Sequence, residues 1–523
     1  MQKTIIYQLT GALFLITALY LGYLIYPNLD KGLIMNDEAY YLMHFRDYKE
    51  MITIDSTNYF RIFQLFYTDN IHHFRIITYV FLNLSSYLLF FLAAKWFKIS
   101  INPFLFGLLG LCLNFLTWPP SNIVLNQYHG NTILMNLVLS SVMAYLLWHQ
   151  RTLLVAAGFF SGIMLFNGIP HTLALGPVVF FLLYNYWRKN KLVIFLFFAG
   201  ILIAILYYFT FIQSISHFIS QLEYLNIYKQ FHRKQHPVRF YLYWIGYVVG
   251  WLILPLSLSI FFIQKFIRNK KFVLDRILIV LAVVAVIISF FSSNIYVKYY
   301  LGGLLFYRFV LTQDNMLKKG FTAMLMLIPF GLAFGSGFYF HMRGNLYQIY
   351  LFLAISLIIL TVFPFKYFGI YLAFFAWPVL NFHNYLYEKG WKDFVFAEQN
   401  SPVEINGHTL YLDVKRKIDL DHLRPYLRNQ PDVIYSKNNL AGYLYILNAK
   451  APVPYYFTLK DYIKYMMDRQ KKSPDDFIYI ESDEHPFSVT DLHPMEFVQN
   501  PAKFRKIQTG RFTLFLPENY HPR

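Results

Sequence analysis

The sequence predicts a polytopic α-helical membrane protein, with about 13 transmembrane helices and a small soluble α/β domain at the C-terminus. Of the 523 residues, 57% are hydrophobic and 14% are charged, whereas soluble domains are nearer half apolar and a quarter charged. Apolar runs that can cross a bilayer recur up to about residue 387, and mixed charge with Pro, Asp and Asn follows. We therefore expect a transmembrane domain at 1–387 and a soluble domain at 388–523.

The first predicted span is the apolar run at residues 5–26. Pro27 and Asn28 follow it without a small-residue cleavage pattern, so we expect an uncleaved span and a cytoplasmic N-terminus. The length of each later apolar run predicts the other spans. They lie at 76–94, 101–118, 132–149, 152–167, 172–187, 192–212, 241–263, 277–296, 299–313, 320–340, 346–363 and 367–386.

Lys and Arg indicate which ends of the spans face the cytoplasm. One set of turns is short, basic and almost free of acids: Lys95, Lys98, Arg151, 188–191, 265–276, Lys318, Lys319 and Lys366. The opposite side holds longer, aromatic-rich loops at 27–75, 118–131 and 213–240. By the positive-inside rule we predict a multi-pass protein of the inner (plasma) membrane. Its long loops and C-terminal domain would be periplasmic or otherwise extracytoplasmic, in the cell envelope.

The charge balance does not indicate a nucleic-acid partner. Residues 1–387 contain 27 Lys and Arg against ten Asp and Glu, and residues 388–523 contain 19 against 18. Bases interleaved with membrane spans are explained by topology and by contact with membrane lipid. Cys112 is the single cysteine, which excludes an intramolecular disulfide and a cysteine-based metal site. We expect no nucleic acid among the partners.

Residue patterns predict the elements of the soluble domain. Alternation of apolar and polar residues predicts strands, and helical periodicity predicts helices. The strands are expected at 407–413, 433–435, 477–480 and 511–515, and the helices at 419–428 and 459–469.

Acidic residues are concentrated in the first outer loop. Seven of the ten acids of residues 1–387 lie there: Asp30, Asp37, Glu38, Asp47, Glu50, Asp55 and Asp69. Glu223 lies in the loop at 213–240, and none is predicted in mid-membrane. Proton relays and ion sites usually place Asp or Glu inside the spans, so this distribution disfavours a proton-coupled transporter. We expect any chemistry at the outer membrane surface.

Asp37 and Glu38 begin a segment that reads as an amphipathic helix through about Met51, lying along the membrane interface. Asn36 or Asp37 would sit near its N-cap. One interpretation is that Asp37 only caps this helix and complements its dipole. The other is that Asp37 carries chemistry, and its position alone leaves both open.

An Asp-Glu pair and a following aromatic residue, just beyond the first of about thirteen spans, resemble a feature of the GT-C superfamily of integral-membrane glycosyltransferases. The likeness extends to the soluble outer domain and is greatest to aminoarabinose transferases and protein O-mannosyltransferases. The resemblance implies a polyprenyl-phosphate sugar donor and Asp37 as catalytic base. The loop at 118–131 contains no acid, whereas several members of the superfamily have a second functional carboxylate further along the chain. The need for a divalent metal therefore stays open.

The chemistry of such a transfer needs one carboxylate. The leaving polyprenyl phosphate is already an anion at neutral pH, so no second carboxyl is needed as general acid. A single base takes the proton of the attacking hydroxyl, and inversion at the anomeric carbon follows. Cations or a metal ion must hold the phosphate.

Candidate phosphate binders are the outer bases Arg75, Lys298 and Arg343. Arg343 is preferred because the short loop that continues with Gly344 and Asn345 would hold it close to the site. The alternative for each base is anchoring at the level of the lipid headgroups. The basic strip at 229–239 is expected either to contact anionic lipid or to bind a phosphate.

Asp69, His72 and His73 form a second cluster of candidate substrate-binding residues. Together with Glu38 or Glu223 they could ligate a divalent metal, although adjacent His side chains seldom face one ion. The alternative is that Asp69 or one His orients the acceptor or pairs with Arg75.

The second outer loop supplies a polar and aromatic surface at 126–131 that suits sugar hydroxyls and ring faces, with Tyr128 and His129 as candidate sugar-binding residues. An interfacial aromatic belt is the alternative explanation for its Trp and Tyr. His171 follows Gly168 in a tight polar turn; a place near the site and a simple turn residue are both open, and the second interpretation is preferred.

The resemblance, taken with these patterns, implies an inverting glycosyltransferase that moves a sugar from a polyprenyl-phosphate donor to a hydroxyl-bearing glycan, lipopolysaccharide, lipid or protein. The chain has no phosphate-cradling Gly-rich loop, nucleophile elbow or zinc-protease pair, which disfavours a nucleotide-sugar donor and ATP-driven transport. An oligosaccharide polymerase or ligase, and a flippase or transporter of lipid-linked sugars, remain as alternatives.

Overall fold

The structure is a computed structural model, and it describes most of the chain. The described residues are 2–35, 37–49, 57–118, 123–222, 237–267, 277, 280, 295–334, 340–362, 399–436, 440–451, 473–484 and 501–520. Several residues of the sequence analysis lie outside them, namely Asn36, Glu50, Asp55 and Glu223, together with most of the basic strip at 229–239.

The described part is mostly helical. The helices of the first 362 residues are α1 Gln2–Ile25, α2 Asp37–Arg46, α3 Tyr59–Ile62, α4 Ile71–Phe97, α5 Pro103–Thr117, α6 Gln127–Trp148, α7 Thr152–Asn167, α8 Leu175–Tyr186, α9 Lys191–Tyr207, α10 Pro237–Val248, α11 Leu254–Phe262, α12 Ile295–Thr312, α13 Met316–Phe334, α14 Phe340–Arg343 and α15 Gln348–Val362. One further helix covers residues 215–222.

Eight helical segments of the described chain are long and apolar enough to cross a membrane. They are Gly11–Asn28, Ile71–Phe97, Gln127–Trp148, Ile169–Tyr186, Lys191–Ile212, Leu242–Lys265, Met316–Phe334 and Gly344–Val362, and Pro103–Phe115 and Thr152–Asn167 are shorter apolar helices. With α12, helices occupy eleven of the thirteen positions predicted for spans. The other two, 277–296 and 367–386, lie almost wholly outside the described residues.

Contacts between distant segments show which helix ends lie together. Lys318 Nζ, at the start of α13, donates a hydrogen bond to the carbonyl of Phe97 at the end of α4 (3.2 Å). At the other end of α4, Arg75 Nη1 donates to the carbonyl of Leu29, just after α1 (2.7 Å). The predicted basic turns at 95–98 and 318–319 therefore meet at one end of the bundle, the basic face. We call the opposite end the domain face, because the C-terminal domain contacts it.

Small residues allow the helices to approach closely. A Cβ atom on Gly158 of α7 would overlap the carbonyl of Phe197 on α9, and one on Gly200 would overlap the carbonyl of Val155. Such contacts bring helix backbones together where apolar burial gives little drive for association in lipid.

The C-terminal part contains a two-stranded hairpin, a four-stranded sheet and two described helices. The hairpin pairs β1 Ser401–Ile405 with β2 His408–Leu412. The further elements are α16 Val414–Leu427, β3 Val433–Tyr435, α17 Ala441–Ile446, β4 Ile478–Ser482, β5 Phe504–Thr509 and β6 Phe512–Pro517. The sheet has the order β3-β4-β6-β5, with β3 and β4 parallel.

The four strands expected from alternation are confirmed, and two were not predicted. β1 contains Pro402, and β5 reads Phe-Arg-Lys-Ile-Gln-Thr, which does not alternate cleanly. α16 begins at Val414, five residues before the predicted start at Asp419, because the Asp413 side chain caps it by accepting from Arg416 N (2.9 Å). The helix predicted at 459–469 lies outside the described residues.

The C-terminal domain is joined to the loop between α1 and α2 by backbone hydrogen bonds. Gly32 N donates to the carbonyl of Tyr411 (2.7 Å), and Tyr411 N donates to the carbonyl of Asp30 (2.9 Å). On α17, Gly442 N donates to the carbonyl of Met35 (2.8 Å). The loop that leads into Asp37 is therefore fixed by the domain at two separate points.

Substituting Gly442 should loosen the contact between α17 and the loop that leads into Asp37. A Cβ at Gly442 would lie 2.5 Å from Met35 Sδ and 2.8 Å from Met35 Cα, so Gly442→Val must push α17 away from the loop. Overpacking of this kind costs about 1–3 kcal/mol. We expect backbone amides of residues 30–46 to exchange hydrogen roughly tenfold faster in this variant.

Gly246→Val is the matched control, because nothing lies within 4 Å of a Cβ at Gly246. It should leave exchange at residues 30–46 unchanged. Equal exchange in the Gly442 variant and the wild type would contradict the contact as described.

Candidate active site at the domain face

The α2 helix, which begins at Asp37, is buried rather than interfacial. Every residue from Glu38 to Phe45 is buried, and the helix ends at Arg46, short of the predicted Met51. The prediction of an amphipathic helix along the membrane interface is therefore wrong. The reason lies far along the chain, because the C-terminal domain covers α2: Arg46 Nη2 donates to the carbonyl of Ala449 (2.9 Å).

Asp37 is half-buried at the start of α2. Burial raises the pKa of its carboxyl above the usual value, and the positive charge of Arg343 acts in the opposite direction. The Arg343 guanidinium lies 5.1 Å from the centre of the Tyr128 ring, in a cation–π contact. Three residues selected from the sequence, 91 or more positions apart, therefore surround one place on the domain face.

Lys298 contacts the loop that carries Arg343. Its Nζ donates to Gln348 Oε1 (2.8 Å) and lies 3.4 Å from Asn345 Oδ1. Asn345 lies within the turn Gly344–Tyr347, which follows Arg343 directly, and Gln348 comes immediately after that turn. Lys298 thus ties α12 to this turn and helps to fix the position of Arg343.

Glu38 and Arg75 form a fully buried ion pair. Arg75 Nε and Nη2 donate to the two Glu38 carboxylate oxygens, each at 2.7 Å. Arg75 also donates to the carbonyls of Leu29 (2.7 Å), Lys31 (3.1 Å) and Gly32 (2.8 Å), and Glu38 accepts from Ile34 N (3.1 Å). The pair therefore clamps the chain between α1 and α2. We assign both residues to the framework of the site and do not retain them as substrate binders.

His129 is also part of the framework. Its ring is fully buried, Nδ1 lies 3.0 Å from the carbonyl of Val124, and the ring centre is 4.4 Å from that of Trp118. These contacts hold the turn that precedes α6, and they direct the imidazole towards Trp118 rather than towards Arg343.

Asp69, His72 and His73 lie at the other side of α2, where α4 begins. Asp69 is exposed and accepts a hydrogen bond from the Tyr67 hydroxyl (2.8 Å), and the rings of the two histidines are 5.9 Å apart. Within the described residues, no three His, Cys, Asp or Glu side chains come together as metal ligands. The predicted metal cluster therefore has no counterpart in the described chain, and Glu223 lies outside it.

His44, a buried residue of α2 itself, is not an acid–base candidate. Burial, with the nearby charge of Arg61, lowers the pKa of His44 to about 3. Its Nδ1 is hydrogen bonded to the Tyr59 hydroxyl. His44 is therefore neutral at physiological pH and joins α2 to α3.

Sequence reasoning did not foresee that buried amides from separate segments form a cluster around the start of α6 and the end of α7. Asn167 Nδ2 donates to Asn131 Oδ1 (2.8 Å) and to the carbonyl of Gln127 (3.0 Å). His171 lies in the turn Ile169–Ala174, as preferred from the sequence, and its buried ring is also 5.9 Å from that of Tyr128, which places it near the site. Asn58 lies close to them, because its backbone N donates to the carbonyl of Phe166, next to Asn167 (3.1 Å). We call Asn58, Gln127, Asn131, Asn167 and His171 the amide cluster.

The amide cluster contains polar atoms that have no hydrogen-bond partner among the described residues. They are both side-chain polar atoms of Asn58, Gln127 Oε1, Asn131 Nδ2, Asn167 Oδ1 and both ring nitrogens of His171. Leaving a buried polar group unsatisfied costs about 1–3 kcal/mol. The asparagines could have been noticed in the sequence, but only the fold brings 58, 131 and 167 together.

The charge of Arg343 predicts a shift in the pH dependence of activity. Because this charge lowers the pKa of Asp37, Arg343→Gln should raise that pKa further. If ionised Asp37 is the base, the acid limb of the rate profile should move to higher pH. Arg343→Lys keeps the charge and should leave the limb near its wild-type position. If the acid limb of the Arg343→Gln variant did not move, the charge of Arg343 would not act on the pKa of Asp37 as described.

No protein-family model, curated protein or solved structure matches this chain. The interpretation of the site therefore rests on its own residues and their geometry.

Proposed function

We propose that this protein is an inverting glycosyltransferase that moves a sugar from a polyprenyl-phosphate donor to a hydroxyl-bearing acceptor. The observation that supports this most is the effect of Arg343 on the half-buried Asp37, with the Arg343 guanidinium lying over the Tyr128 ring. A base, a cation and an aromatic ring are the groups that a hydroxyl nucleophile, a leaving phosphate and a sugar require.

Asp37 takes the proton of the acceptor hydroxyl as the new bond forms between its oxygen and the anomeric carbon. The bond from that carbon to the phosphate oxygen breaks, and its electron pair leaves with polyprenyl phosphate. The raised pKa of Asp37 suits a general base better than that of an exposed aspartate. Attack from the face opposite the phosphate inverts the anomeric configuration.

Arg343 stabilises the charge that develops on the leaving phosphate. A guanidinium can donate two parallel hydrogen bonds to phosphate oxygens, and partial exclusion of water strengthens the attraction. Packing on Tyr128 and the turn held by Lys298 restrict the guanidinium before substrate arrives. Such restriction lowers the reorganisation needed during the reaction.

Glu38 supports a one-carboxylate mechanism. It is adjacent to Asp37, yet both its oxygens are engaged by Arg75. It therefore cannot replace Asp37 as the proton acceptor without breaking a buried ion pair. A divalent metal remains a candidate cofactor that would share the charge of the phosphate.

The donor enters from the bilayer in this proposal. Helices that can cross a membrane surround the site, and a polyprenyl chain would remain in lipid while its phosphate reaches Arg343. The domain face would be periplasmic or otherwise extracytoplasmic, in accord with the basic turns gathered at the opposite face. The C-terminal domain, which contacts the loop before Asp37, would lie beside the acceptor, whether glycan, lipid or protein.

The test is product formation by the purified full-length protein in lipid nanodiscs. It is incubated with a panel of polyprenyl-phosphate sugars and hydroxyl acceptors, with and without Mg²⁺, Mn²⁺ or Zn²⁺. We expect release of polyprenyl phosphate and a glycoside of inverted configuration from at least one donor. Movement of lipid-linked sugar across vesicles without either product would instead identify a flippase.

A further inference from the structure

The amide cluster lies next to the candidate active site. Tyr128, which packs under Arg343, is adjacent in sequence to Gln127, and its ring is 5.9 Å from that of His171. A Cβ on Gly168 would lie 2.9 Å from His171 Nδ1 and 3.5 Å from Asn131 Nδ2. His171, a member of the cluster, and Arg343 therefore both approach the ring of Tyr128.

The unsatisfied atoms of the cluster belong to neutral groups and include both hydrogen-bond donors and acceptors. The amide nitrogens of Asn58 and Asn131 are donors, the amide oxygens of Asn58, Gln127 and Asn167 are acceptors, and the His171 ring offers one of each when neutral. A hydroxyl group both donates and accepts, so several hydroxyls on one rigid ring would satisfy both kinds. A phosphate would satisfy only the donors.

A second amide cluster, inside the bundle, has its donors paired. Asn114 Nδ2 donates to Ser86 Oγ (2.8 Å) and the carbonyl of Leu82 (2.9 Å), and Asn136 Nδ2 donates to Ser86 Oγ (2.8 Å) and Ser85 Oγ (3.1 Å). This fold can thus satisfy buried amide donors where they only join helices. The oxygens Asn114 Oδ1 and Asn136 Oδ1 have no partner among the described residues, so unpaired donors are what distinguish the cluster beside Tyr128.

We propose that the amide cluster is the subsite for the transferred sugar, with Asn131, Asn167 and His171 hydrogen bonding its hydroxyl groups. The proposal rests on the proposed function, because it assigns the sugar of the donor whose phosphate Arg343 holds. It also identifies His171 as a residue that contacts substrate without taking part in proton transfer.

His171→Phe is the sharpest test. The two ring nitrogens of His171 have no partner among the described residues, so phenylalanine removes no known protein hydrogen bond and should keep thermal stability at or above the wild-type value. Asn131→Leu is the second variant, and Asn136→Leu in the inner cluster is its control for loss of an amide. All are made in the Asp37→Asn background, which prevents turnover during binding measurements.

The measurement is a ratio of two dissociation constants. The Kd for polyprenyl phosphate is divided by the Kd for a polyprenyl-phosphate sugar from the panel. This ratio isolates the contribution of the sugar from that of the lipid phosphate. We expect His171→Phe and Asn131→Leu to lower it by about threefold to tenfold for each hydrogen bond lost, with affinity for polyprenyl phosphate unchanged. Asn136→Leu should lower stability and leave the ratio intact.

Unchanged ratios in both cluster variants would overturn the sugar subsite. It would also be overturned if the Asp37→Asn protein with an intact cluster bound the polyprenyl-phosphate sugars no more tightly than polyprenyl phosphate. Turnover by the wild type in the nanodisc assay would still support the glycosyltransferase in either case. Failure of the subsite and failure of the proposed function are therefore distinguished by separate readouts.

Discussion

Substituting Asp37 with asparagine is expected to reduce turnover by ~10²–10⁴-fold, the usual contribution of a positioned general base. Asparagine keeps the size of the side chain and its ability to accept hydrogen bonds at the start of α2, but it cannot take a proton. The acceptor hydroxyl would then lose its proton only to water. Asp47→Asn, at the end of the same helix, is the matched control and should retain turnover.

The same substitution should not weaken the fold at neutral pH. Burial raises the folded-state pKa of Asp37 above its unfolded value, so ionising this residue costs stability as the pH rises through that interval. Asparagine removes that cost, and the Asp37→Asn protein should unfold at the same or a higher temperature at pH 7. The advantage should vanish below the ordinary aspartate pKa of about 4. Near-normal turnover in a well-folded Asp37→Asn protein would reduce Asp37 to a helix-capping role.

Replacing Arg75 with leucine is expected to destabilise the protein by about 3–5 kcal/mol, because it leaves a buried carboxylate without its counter-charge. Glu38 and Arg75 are both fully buried, and the loss also removes the donors for the carbonyls of Leu29, Lys31 and Gly32. Thermal or denaturant unfolding in detergent measures this effect. Turnover should fall as well, since the chain that leads into Asp37 loses its clamp.

A double variant distinguishes the effect of an unpaired charge from the effect of the change in side-chain size. Arg75→Leu combined with Glu38→Leu removes both charges and should be more stable than Arg75→Leu alone. Lys417→Leu provides the comparison for an exposed pair, since Lys417 and Asp421 lie on the surface of α16, and such pairs contribute about 0.2–1 kcal/mol. A loss in Arg75→Leu no larger than in Lys417→Leu would show that the buried clamp is not structural.

The sequence predicted the helical membrane domain and four of the described strands, since both follow from local periodicity. It also predicted that Arg343 would lie close to Asp37, because a short loop restricts where a side chain can reach. The partner of Glu38 was not predictable in the same way: Arg75 was weighed as a phosphate binder, and only the fold shows that the two side chains face each other.

Tertiary contacts explain the other features of the structure that the sequence did not predict. α2 was expected at the membrane interface because its sequence mixes polar and apolar residues, yet α17, about 400 residues later, covers it. Asn131 belongs to the polar surface at 126–131 that the sequence assigned to sugar hydroxyls, whereas Asn58 and Asn167 read as ordinary polar residues near helix ends. Their meeting depends on how α3, α6 and α7 pack, which no local pattern records.

The most direct measurement of the central claim is a structure of the full-length protein in nanodiscs with polyprenyl phosphate bound. The account predicts the phosphate within hydrogen-bond distance of the Arg343 guanidinium, on the side of Tyr128 that faces Asp37. A phosphate bound elsewhere, with Arg343 still packed on Tyr128 and Asp37 remote from it, would contradict the assignment of this site.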